Sequence, residues 1–251
     1  MIEKTLLTLA LATTLCAAGP CWGQMPPPAA EGTLTKRTEH YDRRYGLADA
    51  DQKKTDNRGE GFDALYGTRN FRVVLKGVVY RGGANNKWHR TEPRSNANPL
   101  PDDGLQNLCV EGFRRSYYLY DTNFDSAPDR VTCETAMNSD HSLRYFQMSS
   151  IDDSQTYELL GAVYETIKDP SLGPVYIHCW NGWHASGRVA AKILRQFCGL
   201  SPEEAVEYWD SNTDGNNLEK KYESIRNDIR EFSPYPEFEI TEKEAALVCP
   251  E

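Results

Sequence analysis

Apolar positions recur along the chain in two registers, and the changes between them outline a fold. From Phe71 the pattern is strand-like: Val73, Val74 and Leu75, then Val78, Val79 and Tyr80, flank Lys76-Gly77 and predict two short strands about a turn. Residues 82–101 are rich in Gly, Asn and Pro and read as a long loop. A short helix is expected over 102–109, a strand over 116–120, an irregular stretch over 121–141 and a strand over 144–148. Behind Ser154, the residues Tyr157, Leu160, Val163, Tyr164 and Ile167 recur at helical spacing.

Gly173-Pro174 then leads into Val175, Tyr176 and Ile177, a short buried strand. Val189, Ala190, Ile193, Leu194 and Phe197 share one face of a helix expected from Ser186, with Gly199 as its stop. Ser201-Pro202-Glu203-Glu204 is a capping box with proline at the first helical position. Leu218, Tyr222, Ile225, Ile229 and Phe232 predict a last long helix. Strands first, then strand–helix alternation, give an α/β class with a central mixed sheet flanked by helices.

The ends of the chain have another character. Residues 1–23 carry Lys4 and then an apolar run shorter than a bilayer-spanning helix, closing on small residues before Gln24. This is expected to be a signal peptide removed on export, leaving a periplasmic or secreted protein with no stable membrane span. Residues 24–70 begin Pro-rich and continue densely charged, and are expected to form a polar arm or linker ahead of a domain over 71–251.

Composition narrows the classes. The 251 residues include 28 Lys and Arg against 37 Asp and Glu, a formal net charge of −9, which speaks against a general nucleic-acid or anionic-membrane binder. Nothing in the composition fixes an oligomeric state. Five cysteines follow the leader: Cys109, Cys133, Cys179, Cys198 and Cys249. In an oxidising compartment an odd count leaves one thiol over. If that thiol is Cys179, the other four form two disulfides in any of three pairings, the alternative being an unpaired Cys198 on a helix face.

The chemistry concentrates in one segment. The strand over 175–177 runs into His178-Cys179-Trp180-Asn181-Gly182-Trp183-His184-Ala185-Ser186-Gly187 and then into a helix. A sulfur at such a strand–turn–helix junction meets unpaired amides and a positive dipole end, which together favour negative charge and seat an anion. Gly182 lets the backbone curl with its amides inward. Ser186 is placed to hydrogen-bond the sulfur. Trp180 and Trp183 are expected either to pack against helices or to wall a pocket.

On these residues the chain resembles the cysteine-dependent tyrosine and dual-specificity phosphatase superfamily, its bacterial phytase-like branch included. The matching positions are His178, Cys179, Gly182, Ser186 and Gly187. Upstream, Tyr80-Arg81-Gly82-Gly83 is similar to an early strand of that family, and the coverage is about residues 71–232. The resemblance implies a phosphatase-like domain using no metal and no cofactor. It implies Cys179 as nucleophile, His178 as support for the loop, and Trp180, Asn181, Gly182, Trp183, His184 and Ser186 around the substrate. Asp152 and Asp153, 27 and 26 residues before Cys179, fall where the family's general acid lies, though they also suit the start of a helix. The implied partner is a small phosphorylated substrate or a phosphoprotein.

One departure bears on all of this. Where the family has its phosphate-gripping arginine, the chain has Ala185. Arg188 and Arg81 are the candidate stand-ins, although Arg188 should lie about a turn down the helix. The readings left open are a phosphatase divergent in its loop, an inactive phosphatase fold that binds a ligand or partner, and thiol or metal chemistry at Cys179 with His178 and His184.

Overall fold

A computed structural model describes residues 33–135 and 138–251. The expected signal peptide, with Cys16, Cys21 and the junction at Gln24, lies outside these residues. In chain order the elements are α1 (Leu34–Tyr45), β1 (Thr68–Leu75), β2 (Val79–Ala84), α2 (Asp102–Val110), β3 (Arg115–Tyr118), β4 (Arg130–Thr135) and β5 (Asn138–Gln147). There follow α3 (Asp153–Lys168), β6 (Val175–Cys179), α4 (His184–Cys198), α5 (Pro202–Ser211), α6 (Glu223–Glu231) and α7 (Glu242–Val248).

The six strands form one mixed sheet in the order β1-β2-β6-β3-β5-β4. The four central strands run parallel, and the two edge strands pair antiparallel to them. The carboxyl ends of β2, β6, β3 and β5 therefore meet at one edge, where α/β sheets commonly bind ligands.

Strand alternation builds two cores. Val175, Ile177 and Cys179 face the side packed by α3, α4, α5 and α7. Tyr176 faces the other side, where Phe71, Tyr80 and Phe113 form an aromatic cluster with Tyr41 and Tyr45 of α1. α4 separates apolar from polar positions as its spacing predicts, and Gly199 ends it in the left-handed conformation. The capping box at Ser201 forms with both of its reciprocal hydrogen bonds.

Several expectations shift. The segment read as a polar arm contains α1, which is docked rather than loose. Arg37 is buried and donates to the Thr166 and Pro170 carbonyls, and Arg44 forms a two-bond ion pair with Glu111. Two of the charged residues that suggest a linker are here docking groups, Arg37 on main-chain oxygens and Arg44 on a carboxylate. The stretch 121–141 is not all irregular: β4 and the start of β5 form an antiparallel pair at the edge of the sheet. Exposed Arg130, Thr132 and Glu134 mask the strand pattern, as charges on an edge strand do.

The last long helix does not begin at Leu218, which is 90% exposed. An asparagine-rich turn hydrogen-bonded through Asn216 and Asn217 delays α6 to Glu223. Cys109 pairs with Cys133 and Cys198 with Cys249, leaving Cys179 as the free, buried thiol. Among the described residues no helix is long and apolar enough to cross a membrane.

Candidate active site

Cys179 ends β6, and residues 180–183 turn the chain into α4. The turn is possible because two glycine backbones touch. Gly182 sits at φ +77, and a Cβ on Gly83 at the end of β2 would lie 2.4 Å from the Asn181 carbonyl carbon. The Ala84 amide donates to the Trp180 carbonyl, so β2 holds the loop from beside it. α4 starts at His184, two residues before the expected start, and its first intrahelical bond runs from Gly187 to the Trp183 carbonyl. The amides of His184, Ala185 and Ser186 thus have no acceptor within the helix. The Ser186 hydroxyl lies 3.4 Å from the Cys179 sulfur.

His178 points to the opposite face of the sheet. Its Nδ1 donates to the Cys179 carbonyl at 3.3 Å, because a carbonyl can only accept, and its Nε2 accepts from the Tyr145 hydroxyl at 2.8 Å. Tyr145 accepts in turn from the Leu100 amide. Burial pushes His178 down to about 3, so the ring is neutral and braces the loop.

His184 turns the other way, donating to the Asn216 carbonyl and stacking on Tyr222. Neither imidazole is aimed at the sulfur, which removes the geometric basis for a histidine–thiolate metal site. Among the described residues the one three-ligand cluster is Cys109, Cys133 and His141, and its two sulfurs are joined to each other.

The aromatic residues flank the loop on two sides. Trp180 packs against Tyr120 with ring centroids 4.3 Å apart and the planes tilted by 33°, and it donates to the Tyr118 hydroxyl. Trp183 donates to Asp214. Asn181 is held from both ends: its carbonyl accepts from Asn70, and its Oδ1 accepts from Asn96.

The acid candidates stand at the start of α3. Asp152 is its N-cap, accepting from the Ser154 hydroxyl and from the Ser154 and Gln155 amides, and these bonds hold its carboxyl below the usual range. It is therefore ionised in this arrangement and must leave the cap before it can give a proton. Asp153 is exposed, with Lys192 at 3.5 Å.

Ala185 is buried in the core that contains Cys179. Neither expected stand-in reaches the mouth of the loop. Arg188 pairs with Asp228 of α6 at 2.5 Å, one turn down α4, where helical geometry sends it away from the sulfur. Arg81 is wholly buried behind the loop, donating to the Gly182 carbonyl at 3.2 Å and lying against Gly187. It props the loop from within.

Sequence reasoning missed Arg69. This residue of β1 pairs with Gly83 in register, and its guanidinium lies 6.0 Å from the Trp183 ring centre. Its side chain donates to Asn57 and Asn96, both neutral acceptors. Burial lowers its proton affinity, with Cys179, Asp214 and Asp56 as the groups that work against that effect. The only signal in the sequence was the polar triplet Thr68-Arg69-Asn70 leading into an apolar strand. Arg72, also buried, contacts Asp214 at 3.5 Å. Arg81 thus bonds the loop directly, Arg69 reaches it through Asn96, and Arg72 shares Asp214 with Trp183.

No protein-family model matches the chain, and no curated protein matches it. Solved structures to which it is similar are dual-specificity and tyrosine phosphatases. A variant of human DUSP28 is 12% identical, covering 64% of this chain and 94% of that one, with a TM-score of 0.39. TpbA of P. aeruginosa is 16% identical, covering 64% and 86%, with a TM-score of 0.40. Tk-PTP in its active form is 15% identical, covering 65% and 97%, with a TM-score of 0.42.

Proposed function

We propose that this protein is an exported cysteine-dependent hydrolase of phosphate monoesters. The observation that carries the reading is the free Cys179 sulfur at the junction of β6 and α4, 3.4 Å from the Ser186 hydroxyl and beside unpaired first-turn amides. The Cys179 thiolate attacks phosphorus, the S–P bond forms, and the P–O bond to the leaving alcohol breaks with its electron pair on oxygen. Water then attacks the phosphocysteine, releasing inorganic phosphate and restoring the thiolate, with Ser186 hydrogen-bonding the departing sulfur.

Because Asp152 is bound up in its cap, turnover favours esters of acidic alcohols, such as phenols, which depart without a strong proton donor. The substrate is a small aryl phosphate or a phosphoprotein side chain, and the reaction needs no organic cofactor. The test is phosphate release from p-nitrophenyl phosphate and phytate by the protein from Gln24 onward. Activity on the aryl ester that disappears in Cys179→Ser supports the reading. Equal activity in Cys179→Ser would sink it.

A second reading, a binding protein on an inactive phosphatase-like fold, draws on Ala185 and on the tryptophans flanking the loop. It predicts no turnover by the wild type on either ester.

A further inference from the structure

We propose that Arg69 of β1 supplies the guanidinium that grips the oxyanion seated at Cys179, taking from another strand the role that Ala185 cannot fill. The inference rests on the reading of this loop as an anion seat. A buried guanidinium is costly unless something negative meets it, and Arg69 is 3% exposed. Its direct hydrogen bonds go to two neutral amide oxygens, on Asn57 and Asn96. They engage two of the five N–H donors of its fork, and the Nε–H is buried with no acceptor among the described residues.

Asn57 and Asn96 also fix the direction of the fork. Asn96 bridges Arg69 to the Asn181 side chain of the loop itself, at 3.2 and 2.7 Å. Asn57 accepts from Asn70 as well, and Asn70 donates to the Asn181 carbonyl. The guanidinium is thereby tied to the Cys179 loop through side chains that hold it in place without neutralising it. Trp183 lies beside it, 6.0 Å from ring centre to guanidinium carbon.

The other two arginines are otherwise committed. Arg81 donates to main-chain carbonyls of Gly182 and Asn212, and Arg72 faces Asp214. Of the three, Arg69 is the one linked through Asn96 to the Asn181 side chain of the loop, and its planar fork suits two oxygens of a phosphoryl group or another tetrahedral oxyanion.

The experiment is calorimetric titration with tungstate, an oxyanion that cannot be hydrolysed, in a Cys179→Ser background, which separates this inference from the question of turnover. Replacing Arg69 with Lys, which keeps the charge but loses the fork, is expected to weaken tungstate at least tenfold, and Arg69→Gln still more. Arg188→Lys is expected to stay within about threefold, since that side chain faces Asp228. Tungstate binding that survives intact in both Arg69 variants overturns the proposal, as does failure of the parent protein to bind tungstate.

If the Arg69 variants do not fold, tungsten anomalous scattering from soaked wild-type crystals decides. An ion within hydrogen-bond reach of Arg69 supports the proposal, and an ion elsewhere or none overturns it. Tungstate binding that depends on Arg69, without any phosphate release by the wild type, keeps the seat and removes only the hydrolase reading.

Discussion

His178 donates to the carbonyl of the residue that carries the sulfur and accepts from Tyr145, so the ring fixes the backbone beneath Cys179 while staying out of the chemistry. This has a consequence for stability. An unfolded histidine takes up a proton near pH 6.5, whereas burial delays His178 to about 3 in the folded protein. Between those values the unfolded state binds the extra proton. The contribution is therefore fully present above pH 6.5 and is lost progressively as the pH falls toward 3. His178→Gln should flatten the dependence of unfolding free energy on pH by up to about 1.4 kcal/mol per pH unit between pH 4.5 and 6. Urea midpoints at three pH values check it, and an unchanged slope would mean that the folded ring accepts the proton. His40, His141 and His184 are also held low by burial, so the comparison between variant and wild type isolates the share of His178.

At the scale of elements, α7 is a short C-terminal helix with little surface of its own to bury. Its Val248 side chain is buried, the Val248 carbonyl accepts from the Lys76 amide in the β1–β2 turn, and Cys249 is bonded to Cys198 at the end of α4. The bridge spans 51 residues and encloses α5, α6 and α7. Closing a loop of that length restricts the unfolded chain by on the order of 4 kcal/mol in the chain-entropy account. Changing Cys198 and Cys249 together to serine should lower the urea-unfolding free energy by about that amount. A midpoint equal to wild type would show that packing alone holds α7.

Across the whole molecule, the two faces of the sheet are sealed by different means. α3, α4 and α5 cover one face with mainly aliphatic residues together with Phe197, Tyr208 and Trp209, and α1 reaches from the N-terminal side to cover the other with Tyr41 and Tyr45. The Tyr41 hydroxyl donates to the Glu111 main chain, and the Tyr45 hydroxyl donates to the Glu111 carboxylate that Arg44 also binds. α1 is thus part of the core that supports Tyr80, Phe71 and Tyr176 beneath the sheet edge that carries the Cys179 loop. Tyr41→Ala should cost about 3–5 kcal/mol, the range for losing a large buried aromatic, as measured by denaturant unfolding. A cost under about 1 kcal/mol would restore the picture of a dispensable arm.

Much of this protein was legible along the chain because it depends on neighbours in sequence. The β1–β2 turn, the capping box at Ser201, the amphipathic face of α4 and the strand–loop–helix around Cys179 all follow from local periodicity and turn chemistry. The odd count of cysteines showed that one thiol is left over, but the sequence leaves open whether Cys198 is paired, and the structure joins it to Cys249. What lay beyond local reach was the pairing of distant parts. The disulfide partners, the docking of a charged α1 and the edge strand β4 are set by contacts between residues far apart in sequence. The site divides in the same way. The sequence determined the cysteine, the glycine and the serine of the loop, and the alanine at position 185. Only the tertiary structure turned Arg188 toward Asp228, placed Arg81 behind the loop and tied Arg69 through Asn96 to the loop's Asn181, because β1 reaches the loop through sheet order and not through chain order.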